Sequence, residues 1–372
     1  MIIIFLGLIL RIIISTLNVE FDIFYYSILD AFKFHQQGLD YSFYLENKDF
    51  IPLEYKSNLE MTYGKFLGLI YRYSVDSYLL GSYLTCFAWF ISAYIFRISL
   101  LKVQSNLTII NISTFFYCFM FPTSIIYTSV TIREAYLLLF FNLMFYCVLN
   151  YENLKNNVSK VIYIILFISS IILLCILHRA NIVLFILFIP LGTILLFFLK
   201  LKIRLVWLFL FCLISTYLFY RFGIVEKIFS AIVNYQTGHF DEMETFRTDF
   251  YNRSYINSLN FNLKNLIIHI SQNIFNYFFQ PTILRINNLQ DLILFFENIL
   301  RIFLILICLR KFNIKIIQKK EIFYIFFLLF ITMELVYSQA TVNWGTASRH
   351  HLPVLGILII LSCFSSREYK KK

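Results

Sequence analysis

The stretch Asn343-Trp344-Gly345-Thr346-Ala347-Ser348-Arg349-His350-His351-Leu352-Pro353 sets three adjacent residues able to carry positive charge between two apolar runs, 322–336 and 352–361. Each run has the composition of a membrane span, so the basic triplet falls at the mouth of a bilayer. A cation within hydrocarbon costs roughly 2.5–3.5 kcal/mol on insertion scales, so such residues sit at an interface or face a wet cavity. Apolar runs of the same kind recur outward from here along the whole chain. Hydrophobic residues make up 60% of the 372, charged residues 14%, and mean hydropathy is +0.74. That balance excludes an ordinary soluble domain and predicts an all-α, polytopic integral membrane protein.

About ten spans are expected, at 1–17, 77–96, 107–121, 132–149, 161–177, 182–199, 205–220, 291–309, 322–337 and 352–363. They form a single transmembrane domain over 1–372, interrupted by a polar stretch at 18–76 and a longer one at 221–290, which itself holds an apolar segment at 263–279. The net charge of +11 comes from Lys and Arg gathered at 97–106, 150–160, 200–204, 310–320 and the tail. Alternating the loops puts all of these on the cytoplasmic side with both termini, as the positive-inside rule requires. The same clustering argues for a lipid bilayer and against nucleic acid as the partner. The first run has no basic leader and no A-x-A site, so it is expected to be a span and not a cleaved signal. The seven cysteines all lie in apolar runs without CxxC spacing and are expected to be neither disulfides nor metal ligands.

The remaining loops, 18–76, 122–131, 178–181, 221–290 and 338–350, then face away from the cytoplasm. The unusual polar residues lie in or beside them: Asp22, Asp30, His35, Arg133, Glu134, His178, Arg179, Arg349, His350 and His351. A site there has no access to cytoplasmic ATP, so energy must arrive in the substrate. No Walker or GxGxxG pattern is present and no cofactor is expected. Thr131 and Glu134 fit a capping box, which gives Glu134 a purely structural role. Arg133 opposes the helix macrodipole and needs a carboxylate or a bound anion. His178-Arg179 occupies a short turn, where snorkelling to headgroups competes with a functional role. The histidine pair has no third ligand at helical spacing, so no metal is expected. Glu297 and Arg301, four apart, are expected to pair on one helix face. Glu334 is placed to act as a base or to pair with Arg349, and Asp30 and His35, five apart, do not share a face cleanly. Arginine forks match diphosphate geometry and stay charged at any pH. The chemistry this suits is displacement at a carbon bearing a diphosphate leaving group, with a carboxylate or His taking the acceptor hydroxyl proton.

Several segments resemble the O-antigen polymerases (Wzy) and related GT-C-type lipid-linked glycosyltransferases. They are Arg11 … Asp30-Ala31-x-x-Phe34-His35, Tyr63-Gly64-Lys65-Phe66-Leu67-Gly68, Pro122 … Arg133-Glu134, Tyr277-Phe278-Phe279-Gln280-Pro281 … Glu297-Asn298, and above all Gly345-Thr346-Ala347-x-Arg349-His350-x-x-Pro353. The resemblance runs thinly over most of the chain. It implies a bacterial inner-membrane enzyme that joins undecaprenyl-diphosphate-linked repeat units on the periplasmic face, with a chain-length regulator as a possible partner. In that family reading Arg133, Glu134, Arg349 and His350 are catalytic, while Arg11, Asp30, His35, His178 and Arg179 bind diphosphate or sugar. The large 221–290 periplasmic loop would help hold the glycan. The acidic pair that marks many GT-C transferases is matched only loosely, by Asp22 and Asp30. Two alternatives stay open: a GT-C transferase using a polyprenyl-phosphate sugar, and a lipid-linked oligosaccharide flippase, which predicts charges at mid-depth in many spans and an internal repeat.

Overall fold

The apolar runs fold as helices in the computed structural model, which describes residues 1–23, 25–47, 61–151, 156–200, 263–312 and 320–364 and the isolated positions 154, 221 and 230. Among these residues there are thirteen α-helices and no strand. In chain order they are α1 Ile2–Phe21, α2 Tyr25–Asn47, α3 Thr62–Tyr73, α4 Tyr78–Val103, α5 Leu107–Phe119, α6 Pro122–Tyr127, α7 Glu134–Tyr151, α8 Asn157–Leu177, α9 Ala180–Lys200, α10 Leu263–Phe279, α11 Leu289–Phe312, α12 Lys320–Gln339 and α13 Trp344–Cys363. Eight of them (α1, α4, α7, α8, α9, α11, α12 and α13) are long and apolar enough to cross a membrane. The chain is therefore an all-α, multi-pass membrane protein.

The difference from about ten expected spans has two sources. The run at 205–220 lies outside the described residues. The run at 107–121 forms the 13-residue α5, about 20 Å long at 1.5 Å per residue against a hydrocarbon core of roughly 30 Å. The stretch 18–76, expected as a loop, contains two helices, α2 and α3, neither of which qualifies as a span. Of the 221–290 stretch, α10 and the segment after it are described, together with positions 221 and 230.

Short polar side chains start many of these helices by accepting one of the backbone N–H groups that a first turn leaves without a partner. Asn106 accepts from Thr108 N at 2.9 Å to open α5, and Asn156 accepts from Val158 N at 2.9 Å to open α8. Asn288 accepts from Asp291 N at 2.8 Å at the head of α11. Asn343 accepts from Thr346 N at 2.6 Å at the head of α13.

The single domain expected from sequence divides into two compact units. One comprises Met1–Ile182, Ile307–Gln318 and Leu352–Lys372; the other comprises Val183–Leu306 and Lys319–His351. In the first unit α1 packs on α4 and α5, α4 on α7, α7 on α8, and α2 on α3. The α2–α3 pair approaches closely through glycine: a Cβ on Gly68 would lie 2.7 Å from the Gly38 carbonyl oxygen, and one on Gly64 2.6 Å from Gln37 Cβ. Helix pairing of this kind is what small residues permit, and it is the structural work of the Tyr63–Gly68 stretch. In the second unit α10 packs on α12.

Candidate functional site

Each unit gathers polar groups around the head of one spanning helix, α7 in the first and α13 in the second. Between α5 and α7 the chain is irregular apart from the six-residue α6, yet Thr128, Ser129, Val130 and Thr131 are fully buried. Non-helical backbone at membrane depth persists only where protein encloses it. Here side chains hold it. Thr128 donates its hydroxyl proton to the Ser124 carbonyl at 2.6 Å and accepts from Arg11 Nε at 2.7 Å. Thr131 donates to the Tyr78 carbonyl at 3.1 Å, and its oxygen lies 2.9 Å from Ser82 Oγ.

Those bonds to α4 take Thr131 away from the capping role the sequence proposed for it. Arg133 begins α7 instead, its carbonyl accepting from Leu137 N at 3.1 Å, and Glu134 becomes the first helical residue, buried at 4% exposure. The half-buried Arg133 resolves its conflict with the α7 dipole by facing another helix end. Its Nη1 donates to the carbonyl of Leu177 at 3.0 Å, the last residue of α8. A cation there meets carbonyls that have no helical donor. The guanidinium carbon also lies 5.7 Å from the centroid of the Phe34 ring.

Phe34 belongs to a cluster of aromatic rings from α2, α3 and α7. Phe34 meets Tyr63 edge-on at 5.1 Å, and Tyr136 lies 5.5 Å from Tyr63 and 5.6 Å from Phe66. His35 Nδ1 lies 3.0 Å from the Tyr71 hydroxyl, with the Tyr71 and Tyr78 rings edge-on to the imidazole. Burial holds the His35 pKa below its ordinary 6.5, against a smaller opposing pull from Asp76, and burial pushes the Tyr63 and Tyr71 phenols up. Asp30 is half-buried on α2, one turn before Phe34. His178 closes α8, its Nδ1 accepting from Ala180 N at 3.2 Å, and Arg179 beside it is exposed. Arg133, His178 and Arg179 are thus brought to the same end of α8.

Arg11 has a different place. It is fully buried, with Nη1 donating to Gly7 O at 3.1 Å and Cys118 O at 3.2 Å, and its guanidinium carbon 3.4 Å above the Trp89 ring. The Cys118 carbonyl needs that donor because the residue four further on is Pro122, which has no N–H. These internal contacts stand where a substrate contact was expected of Arg11.

In the second unit α13 opens at Trp344, whose Nε1 donates to Asp291 Oδ1 of α11 at 2.9 Å. Arg349 and His350 follow, both half-buried. His350 stacks on Tyr337 with centroids 5.2 Å apart, and its Nδ1 lies 2.7 Å from Thr341 Oγ1. The buried His351 lies with Nδ1 3.4 Å from Oε1 and 3.2 Å from Oε2 of Glu334. His351 is therefore a partner of Glu334, the role considered above for Arg349. His351 Nε2 donates to the Tyr277 carbonyl at 3.1 Å. That carbonyl also lacks its helical donor, since Pro281 stands four residues on.

Glu297 and Arg301 pair at 2.8 Å as their spacing predicts, and Arg301 also donates to Asn298 Oδ1 at 2.6 Å. Asn298 Nδ2 in turn donates to the Gln280 carbonyl at 2.8 Å. Sequence reasoning missed the polar face of α10: His269, Asn273 and Tyr277 are all buried, with Asn273 donating to His269 Nε2 at 3.1 Å and to Gln339 Oε1 at 3.0 Å. Burial lowers the His269 pKa. The four-residue spacing of these three residues in an apolar run is the signal that could have found them.

No family model, curated protein or solved structure matches the chain.

Proposed function

We propose that the chain is an O-antigen polymerase or a similar polysaccharide polymerase, joining undecaprenyl-diphosphate-linked repeat units on the periplasmic face of a bacterial inner membrane. The observation that carries this is Arg133, a half-buried guanidinium fixed at the head of α7 by the Leu177 carbonyl and lying 5.7 Å from the Phe34 ring, which packs on Tyr63 in an aromatic cluster with Phe66 and Tyr136. Guanidinium forks recognise diphosphate, and aromatic faces with polar edges suit sugars. Arg349 and His350 supply a second cationic group in the other unit, on the helix after a non-helical link from α12. In this topology the lysine-rich connectors lie on the cytoplasmic side and the heads of α7 and α13 outside, the crossing ahead of α7 being made by α5 together with the chain up to Thr131, which runs from the tail of α4 to Tyr78 at its head.

A flippase for lipid-linked oligosaccharide is the second reading. The Arg11, Glu297–Arg301 and Glu334–His351 groups, all buried in spanning helices, favour it. Deleting the gene in its native bacterium and running the lipopolysaccharide on a gel separates the readings. A polymerase is expected to leave core plus a single repeat unit, restored by the wild-type gene and not by Arg133→Ala. An intact ladder with altered antigenicity would replace it with a single-sugar transferase. Loss of all surface repeats with lipid-linked units accumulating inside would replace it with a flippase.

A further inference from the structure

Helix α3 carries two apolar faces, and the protein covers one of them. Tyr63, Leu67 and Tyr71, with Gly64 and Gly68, are buried on the side that meets α2. Phe66, Leu69 and Tyr73 lie on another side, with 41%, 48% and 86% of their surface exposed. Steps of three and four residues put these side chains in one stripe along the helix. Lys65 and Arg72, both half-buried, lie along one edge of that stripe, and Arg72 pairs with Glu46 of α2 at 3.0 Å.

The neighbouring spans fix where the stripe lies. Helices α1 and α4 are both long and apolar enough to cross the membrane, and they pack on each other. The Thr16 hydroxyl near the tail of α1 lies 3.0 Å from the Tyr83 hydroxyl near the head of α4. The α2–α3 hairpin that joins these two ends therefore stands at one face of the bilayer. Residues 74–77 alone separate α3 from α4, a link that reaches at most about 18 Å. Phe66 is held from the other direction, its ring 5.6 Å from Tyr136 in the first turn of α7, another span. Three large apolar side chains are thus kept at a membrane boundary with a lysine beside them. An interfacial helix has this pattern: its apolar face sinks about 5–10 Å into the boundary between headgroups and acyl chains, while basic side chains reach back to the phosphates.

We propose that α3 is an interfacial helix whose Phe66, Leu69 and Tyr73 are seated in the acyl–headgroup boundary of the lipid bilayer, with Lys65 at the level of the phosphates. Lipid fits this face better than a protein partner because apolar exposure continues on the adjoining span. Phe87 and Ile91 of α4 are exposed at 52% and 49%, and on a membrane crossing such residues face acyl chains. Phe66 also joins the aromatic cluster with Tyr136, so the same seating sets the head of α7 at the depth of the lipid headgroups. This placement is independent of the reaction the chain performs.

The test uses the full chain at one copy per lipid nanodisc, with Leu69→Trp and Tyr73→Trp made separately and read as the emission added to that of the wild type. Both positions are exposed, so the new indole displaces nothing in the core. Each variant is expected to lose most of its added emission when the lipid carries bromine on the headgroup end of the acyl chain. The loss should be smaller when the bromine is near the end of the chain, and aqueous iodide should quench little. Quenching by iodide without quenching by brominated lipid puts the stripe in water and overturns the proposal. Quenching by neither puts the stripe against protein and overturns it as well. Strongest quenching by bromine at the chain end puts α3 deep in the hydrocarbon and overturns the interfacial seating.

Discussion

Arg11→Met separates a residue that holds the fold from one that holds substrate. Methionine fills much of the arginine stem volume, so the change removes the charge and the donors with little cavity. What is lost is the donor to the Cys118 carbonyl, the donor to Thr128 Oγ1, and the guanidinium over Trp89. Leaving a buried carbonyl without a partner costs about 1–3 kcal/mol. A desolvated cation–π contact is worth about 2 kcal/mol. Relief from burying a cation offsets part of this, because removal of a buried charge recovers its desolvation cost. The net expectation is about 3 kcal/mol, slightly more than a hundredfold in the unfolding equilibrium. Arg11→Lys should fall between, since one ammonium cannot span three acceptors in the plane of a guanidinium fork. The assay is equilibrium unfolding of purified protein in mixed micelles with increasing SDS, followed by Trp fluorescence. Folded Arg11→Met is expected to keep transfer activity per folded molecule. Wild-type stability with activity abolished would refute the reasoning and return Arg11 to the substrate site.

Three further outcomes follow from particular contacts. Gly356→Ala should destabilise the first unit by about 1–3 kcal/mol, because a Cβ there would lie 2.5 Å from Asn142 Oδ1 while Asn142 Nδ2 is held by Ser92 Oγ at 2.8 Å and Tyr117 Oη at 2.9 Å. Unfolding in the same SDS titration checks it, and an unchanged midpoint would show that the amide moves aside freely. His35 has a folded-state pKa lowered by burial below 6.5, so protonation favours the unfolded chain. Its contribution is complete above pH 6.5 and is lost as pH falls through the lowered value; the wild type should therefore lose more thermal stability between pH 7.5 and pH 5 than His35→Phe does. Arg349→Ala should abolish glycan transfer while the protein inserts normally, with Arg349→Lys restoring only part of it, as read from the lipopolysaccharide ladder and membrane yield of each variant.

The prolines show how far the sequence carried the fold and where it stopped. A proline inside or just past a helix removes the donor for the carbonyl four residues earlier, so Pro122 and Pro281 mark Cys118 and Tyr277 as groups that need a partner. That need is local and legible, as are the apolar runs that became spans and the Glu297–Arg301 pair four residues apart. Which residue meets the need is a matter of tertiary packing: Arg11 supplies Cys118 across 107 positions, and His351 supplies Tyr277 across 74. The same limit explains why the sequence alone groups Arg11 with substrate ligands and leaves Glu334 open between a base and a partner for Arg349. A charged residue in an apolar run looks the same in sequence whether it faces a cavity or an orphaned carbonyl, because both offset its desolvation. Arg133 differs from Arg11 in one respect that the sequence did hold. It stands before a helix and not within one, where no carbonyl four residues away along its own helix can answer its charge. The Leu177 carbonyl answers it from another helix, at 3.0 Å and with the side chain still half-exposed. A basic residue ahead of a span is thus a better candidate for meeting an anion from outside than one in its middle; Arg349 and His350 lie within α13, in its first two turns, and do not share that condition.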